Sequence, residues 1–284
     1  MTAAGRHLDF AGHDVPALGL GTWFMGEGHL PRAQEVRALQ AGLELGLRVV
    51  DTAEMYADGN AEKVVGEALR GRRDAAVVVS KVYPHNASRS GVRAACERSL
   101  RRLHIESIDV YLLHWRGGVP LSETVAGFED LIAAGLIGSW GVSNLDPDDL
   151  EELLGVPGGQ ACATNQILYN LTRRGPELDL LPRARQASMP IMAYSPIEQG
   201  RLFDGGPGVT ALGKVAARHQ ASAAQVALAW CLRDGNVLAI PKSARVEHVR
   251  ENAAALDLNL TDEDISTLDA AYPPPPQPIP LQTL

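Results

Sequence analysis

A short apolar run that ends in a polar residue, then a helical stretch, then another apolar run: this rhythm recurs along most of the chain, and few folds accommodate it. The apolar runs lie at 17–21, 47–51, 76–81, 108–114, 137–142, 161–166, 190–194 and 237–241. Helical patterns occupy 32–46, 60–70, 89–103, 122–134, 146–154, 176–187, 223–234, 245–255 and 261–271. Val36, Leu39 and Leu43 stand at helical spacing ahead of a glycine stop. Ser88 precedes one helical pattern and Thr261, followed by Asp-Glu-Asp, precedes another, as N-caps do. Strands that alternate with helices pair in parallel through crossover helices. Eight such units in 284 residues predict an α/β fold, a closed (β/α)8 TIM barrel rather than an open doubly wound sheet. No linker-like segment interrupts the pattern, so residues 1–284 are read as one domain. Residues 7–16 are expected to form a short β-hairpin under the barrel floor. The proline-rich C-terminal tail from Pro273 cannot be helical and is expected to be an extended or mobile flap.

Composition excludes several classes. With 45% hydrophobic residues there is ample surface to bury, and a net charge of −8 argues against nucleic acid or anionic lipid as a partner. The longest apolar stretch, 131–138, is too short to span a membrane, and the N-terminal segment lacks an apolar signal core. Cys96, Cys162 and Cys231 are far apart in apolar surroundings, which predicts reduced thiols and a cytoplasmic location. The eight histidines show no metal-ligand spacing, so no metal is expected. A serine-hydrolase elbow is absent, and Gly19 and Gly21 are followed by Phe24 where a dinucleotide fingerprint needs glycine. No exposed heptad stands out, which predicts a monomer.

In a barrel of this kind, reactive side chains sit where strands end and βα loops begin. The predicted strands end in, or run into, Asp51, Lys81, His114, Gln166 and Tyr194, with Ser143 and Asn144 after the fifth strand. Asp51 and Lys81 on neighbouring strands would pair. Tyr56 follows five residues after Asp51, and an ammonium beside a phenol lowers the phenol pKa. A tyrosine made acidic in this way, with a histidine orienting a carbonyl, is a general acid for carbonyl reduction. The hydride then has to come from a cofactor, since no side chain supplies one.

These residues sit in a series of motifs: DTAEMYADGNAE, VVSKVYP, YLLHWRG, GVSN, TNQILYN, AYSP and IPKS…EN, in order from GLGTW at Gly19 to Asn252. Together they resemble the aldo-keto reductase family, and in particular its small bacterial members that reduce methylglyoxal and related aldehydes. The resemblance covers nearly the whole chain. It implies a (β/α)8 barrel that binds NADPH without a Rossmann domain and reduces small aldehydes and ketones to alcohols. It makes Tyr56 the proton donor, Lys81 its activator, Asp51 the partner of Lys81, and His114 the residue that orients the carbonyl. It assigns Ser143, Asn144 and Gln166 to the nicotinamide carboxamide and Tyr194 to the nicotinamide ring. Ser195, Ile197 and Gln199 fall on the pyrophosphate loop, Lys242 and Ser243 at the 2′-phosphate, and Glu251 and Asn252 at adenine. Gly21, Thr22, Trp23 and Asp51 join the cofactor contacts. Trp23, Met25, Met55, Tyr83, His114 and Trp115 are expected to line the substrate pocket, and the short tail implies an open site. One position departs from the family: His248 stands where an arginine is usual, with Arg245 and Arg250 nearby. Use of NADH beside NADPH follows as an expectation. Two rivals stand beside this reading. One is a Schiff-base aldolase acting through Lys81; the other is a cofactor-binding, redox-sensing or regulatory subunit with little turnover.

Overall fold

The structure, a computed structural model, describes residues 6–284. It opens with a hairpin of β1 (His7–Phe10) and β2 (His13–Pro16). The alternation then begins: β3 (Leu20–Gly21), α1 (Arg32–Glu44), β4 (Val49–Asp51), α2 (Asn60–Ala68), β5 (Val77–Val82), α3 (Arg89–Leu103), β6 (Ile108–Leu113) and α4 (Leu121–Ala133). It continues with β7 (Ile137–Ser143), α5 (Pro147–Gly155), β8 (Asn165–Leu168), α6 (Leu180–Gln186), β9 (Ile191–Tyr194), α7 (Pro207–His219) and α8 (Ala223–Cys231). β10 (Val237–Ala239), α9 (Val246–Ala253) and α10 (Asp262–Ala271) complete it.

The strands β3 to β10 pair in parallel in sequence order, as the alternation predicts. The ring closes where the first strand meets the last. Gly19 N–H donates to Ala239 O at 2.8 Å, Ala239 N–H to Ala17 O at 2.9 Å, and Gly21 N–H to Pro241 O at 3.1 Å. Bridges Leu18–Ala239 and Gly21–Lys242 carry the same seam. Gly21 is required there, because a Cβ would lie 2.6 Å from Ile240 O. Every residue of β5 is buried, and β4 and β10 are buried throughout, as strands covered on both faces should be. The hairpin turns Phe10 and Val15 into the core, and Asp14 O accepts from the Arg48 guanidinium (3.1 Å), which places the hairpin at the N-terminal ends of the strands.

The caps expected at Ser88 and Thr261 form, whereas Asn60, whose position also suggests a cap, is the first residue of α2 behind Gly59 and caps nothing. Ser88 accepts the Gly91 N–H, and Thr261 forms a capping box with Asp264. Two elements differ from the sequence pattern. No helical pattern is assigned between 187 and 223, but Pro207 opens α7 at a position where proline is tolerated, and Leu212, Val215 and Ala216 face the core. The strand expected over 161–166 lies at Asn165–Leu168, because Gly159–Ala161 makes a helical turn first. The tail is irregular and extended. Arg174 bonds Tyr272 O at 2.7 Å, Leu281 packs on the core, and Leu284 reaches the cleft described below.

Gly66 tests the helix packing. It lies inside α2, where alanine ordinarily gains about 1 kcal/mol over glycine. A Cβ there would sit 2.8 Å from the Leu103 carbonyl carbon at the end of α3. Gly66→Ala is expected to destabilise by about 1–3 kcal/mol in urea unfolding, against its helix propensity. A stabilised variant would show that α2 and α3 separate at little cost.

Candidate active site

The Lys81 ammonium is fully buried, and β4 and the loop after it provide its partners. It meets the Asp51 carboxylate at 2.8 Å, donates to Thr52 O at 2.9 Å and donates to the Tyr56 hydroxyl at 3.0 Å. Those three contacts use all three N–H donors of an ammonium. The Tyr56 oxygen therefore accepts from Lys81, and its own O–H is left to point elsewhere. Tyr56 is carried on a tight turn: its N–H bonds Ala53 O, and Ala57 and Asp58 both take left-handed φ values of +48° and +52°. Asp51 is held from the other side by Gln166 Nε2 at 2.7 Å, reaching from β8. Burial pushes the Asp51 carboxyl up and the Lys81 ammonium down, each against the pull of its partner.

The expectation that Lys81 lowers the Tyr56 pKa is corrected here. Burial, with the Asp51 carboxylate behind it, pushes the phenol well above its ordinary value. The ammonium's charge is offset by a carboxylate in direct contact, so what it lends Tyr56 is a hydrogen bond rather than a field. The phenol stays protonated. His114 lies at the end of β6, with its ring 5.7 Å from that of Tyr56 and nearly perpendicular to it. Burial, then the nearby Lys81 charge, lowers its pKa well below 6.5, so the imidazole is neutral. Its buried Nδ1 has no hydrogen-bond partner in the protein.

Tyr56 and His114 sit in a cleft of about 870 Å³. Asn144, in a left-handed backbone conformation, organises the next stretch of its floor. Its amide nitrogen donates to His114 O (3.2 Å) and Ser143 Oγ (3.1 Å), and its Oδ1 accepts from the Tyr194 hydroxyl at 2.9 Å. The loop Ser195–Gly200 runs over the cleft with Ser195, Glu198 and Gln199 at positive φ. Such conformations cost about 1–3 kcal/mol each unless the surroundings enforce them. Here Glu198 accepts from Asn170 Nδ2 and from Arg173, each at 2.7 Å. At its far end the cleft is lined by Lys242, Ser243, His248, Glu251 and Asn252, and by Ser222–Ala224 at the N-terminus of α8.

Most residues singled out in the sequence meet here. Gly21, Thr22, Trp23, Met55, Trp115, Gln166, Ser195, Ile197 and Gln199 also line the cleft. Lys81 lies beneath it. Two expected pocket residues lie elsewhere: Met25 is fully buried in the core, and Tyr83 stands behind Trp115 with the rings edge to face at 5.9 Å. Arg245 and Arg250, considered as substitutes for the arginine missing at His248, do not line the cleft. Phe24, stacked on Trp23 at 4.5 Å, was not anticipated, nor were Phe203 and Leu284. Ser222 had a readable signal, the S-x-x-Q spacing of a capping box with Gln225. Among the described residues no group of three or more His, Cys, Asp or Glu side chains is placed to hold a metal ion.

Comparison with known proteins converges on one family. The model of the aldo/keto reductase family matches residues 17–273. Methylglyoxal reductase YeaE of Escherichia coli is 54% identical over 272 residues, covering 95% of this chain and 96% of that protein. An NADH-specific methylglyoxal reductase of the same organism is 31% identical, covering 88% and 93%. Among solved structures, an aldo/keto reductase from Klebsiella pneumoniae in complex with NADP and acetate superimposes with a TM-score of 0.95 at 50% identity, covering 99% of this chain and 100% of that one. The chain belongs to the aldo/keto reductase family.

Proposed function

We propose that this protein reduces small aldehydes and ketones of the methylglyoxal type to alcohols, with NADPH as hydride donor and Tyr56 as general acid. One observation carries the chemistry. The Tyr56 oxygen accepts a hydrogen bond from a buried ammonium, so its proton is free to be donated beside the neutral His114 in the cleft. As a carbonyl is reduced, negative charge grows on its oxygen. Tyr56 meets that charge with a proton, and the imidazole can hold the same oxygen through an N–H. The phenolate that would remain is stabilised by the Lys81 donor already in place, an interaction that strengthens as the proton leaves.

The cleft lining suits a phosphorylated dinucleotide. Ser143, Asn144 and Gln166 would hold a carboxamide, and the Tyr194 ring would lie against a flat heterocycle. Ser195, Ile197 and Gln199 would cover a pyrophosphate beside the α8 N-terminus, where free N–H groups favour anions. Lys242 and Ser243 would meet a 2′-phosphate, and Glu251 and Asn252 the adenine. A bound NADPH supplies the hydride. The similarity to YeaE, named a methylglyoxal reductase, supports the substrate class, and the NADP-bound Klebsiella relative supports the cofactor. With His248 in place of arginine, NADH is a second donor, in keeping with the NADH-specific relative. Lys81 is unsuited to a Schiff base, since it is buried, paired and has no free N–H. No helix among the described residues is long and apolar enough to cross a membrane. The enzyme works, on this proposal, as a cytoplasmic monomer on a free carbonyl compound.

Three measurements test these assignments. Tyr56→Phe should lower kcat with methylglyoxal by about a thousandfold or more, read from NADPH absorbance, while NADPH affinity stays within about twofold. Wild-type turnover in that variant would end the assignment of the acid. His248→Arg should tighten NADPH about fivefold, about 1 kcal/mol and the net value of one typical hydrogen bond, and NADH much less. Equal tightening of both would mean that position 248 does not sense the phosphate. The third concerns pH. Folding holds the His114 pKa below 6.5, so below that pH the unfolded chain binds more protons than the folded one. Stability therefore falls as pH drops from 6.5 toward the folded value. His114→Gln should flatten that limb in urea titrations at several pH values; an unchanged slope would place the titration elsewhere.

A further inference from the structure

Glu54 is a buried carboxylate beside the site that the chemistry above leaves unused. It is 8% exposed and lies two residues before Tyr56, on the loop that presents the acid. Its Oε1 accepts the Tyr83 N–H at 2.9 Å and the Asn86 side-chain amide at 3.1 Å. Its Oε2 accepts from the Arg98 guanidinium at 3.4 Å. The loop after β4 is thus tied to the turn after β5. From there the contacts run on into the cleft: the Tyr83 ring meets Trp115 edge to face at 5.9 Å, and Trp115 lies 4.9 Å from the His114 ring. Trp115 is 37% exposed and lines the cleft, so the Tyr83 and His114 rings are what back it. A carboxylate so buried is costly even with the half-exposed Arg98 beside it, and water could satisfy one backbone N–H and one amide on an open loop. What it gains here is a fixed separation between two loops, one bearing the acid and the other backing the wall.

We infer that Glu54 is a positioning residue for the proposed reduction: through Tyr83 it holds Trp115 and His114 in place relative to Tyr56, and so sets where the substrate carbonyl sits. This deepens the proposed function and rests on it. A pure loop staple would change stability without touching substrate geometry. A positioning role shifts the substrate terms first, since displacements near 1 Å at a reacting centre are costly.

The test compares Glu54→Ala and Glu54→Gln with the wild type in the full chain. Steady-state rates with methylglyoxal and NADPH are read beside NADPH affinity from tryptophan quenching. Glu54→Ala is expected to raise KM for methylglyoxal about tenfold with a smaller loss in kcat, and to leave the NADPH Kd within about twofold. Glu54→Gln keeps an acceptor oxygen for Tyr83 N–H and should return KM to within about threefold of wild type. An unchanged KM in Glu54→Ala, a parallel rise of KM and NADPH Kd, or a glutamine variant as damaged as alanine would each overturn the inference. Should Glu54→Ala fail to fold, Tyr83→Ala removes the next contact and must show the same KM rise. A wild type inactive on methylglyoxal and every aldehyde tried would sink the functional proposal instead. The role of Glu54 is then read from the crystal structures of the two variants: a Tyr83–Trp115 pair displaced in Ala and retained in Gln supports it, and a pair unmoved in both refutes it.

Discussion

A cation with no exposed surface sets the terms for everything around it. The Lys81 ammonium can stay charged in the barrel only because a carboxylate, a carbonyl and a phenol surround it. Removing one partner of such a buried pair leaves the other uncompensated, at a cost of about 3–5 kcal/mol. That penalty is what enforces the geometry. Asp51 has to end β4 beside β5, and the turn at Ala53–Tyr56 has to bring the phenol back over the ammonium. Gln166 has to reach across from β8. Thr22 adds a further tie, donating to Asp51 O at 2.9 Å. Strands distant in the sequence are thereby bound to one charge.

Around that charge, burial keeps the reactive groups neutral. The phenol and the imidazole both resist ionisation, and for the same reason: water is scarce and the nearest full charges already balance each other. A site of this kind holds its polarity in oriented donors rather than in net charge. Donors so placed act where charge develops during a reaction and need little reorganisation when it does.

The barrel was legible because its rhythm is periodic and because polar residues break each apolar run at its end. Asp51, Lys81 and His114 could be read as convergent on that ground alone. The parts that were not legible share a cause: they depend on how loops fold back, which no period records. Met25 and Tyr83 both follow strand ends, yet one turns into the core and the other backs Trp115. Phe24 takes a left-handed conformation, unusual outside glycine, that puts its ring on Trp23. The direction of the Tyr56 pKa was misread for a related reason. The sequence names the neighbours of a phenol but not how far a second charge cancels the first. The sequence pattern assigns no helix to α7, which packing brings out through Leu212, Val215 and Ala216.

The seam between Gly19–Gly21 and Ala239–Lys242 has a consequence for how the chain is made. The catalytic candidates all lie in its first 114 residues, but the strand that completes their barrel emerges last. Until residues 237–242 leave the ribosome, the nascent sheet carries two open edges, one of them at β3 beside Thr22 and Asp51. Unpaired edges invite pairing with other chains. Closing the seam therefore removes both edges at once, in the last strand of the barrel to be made.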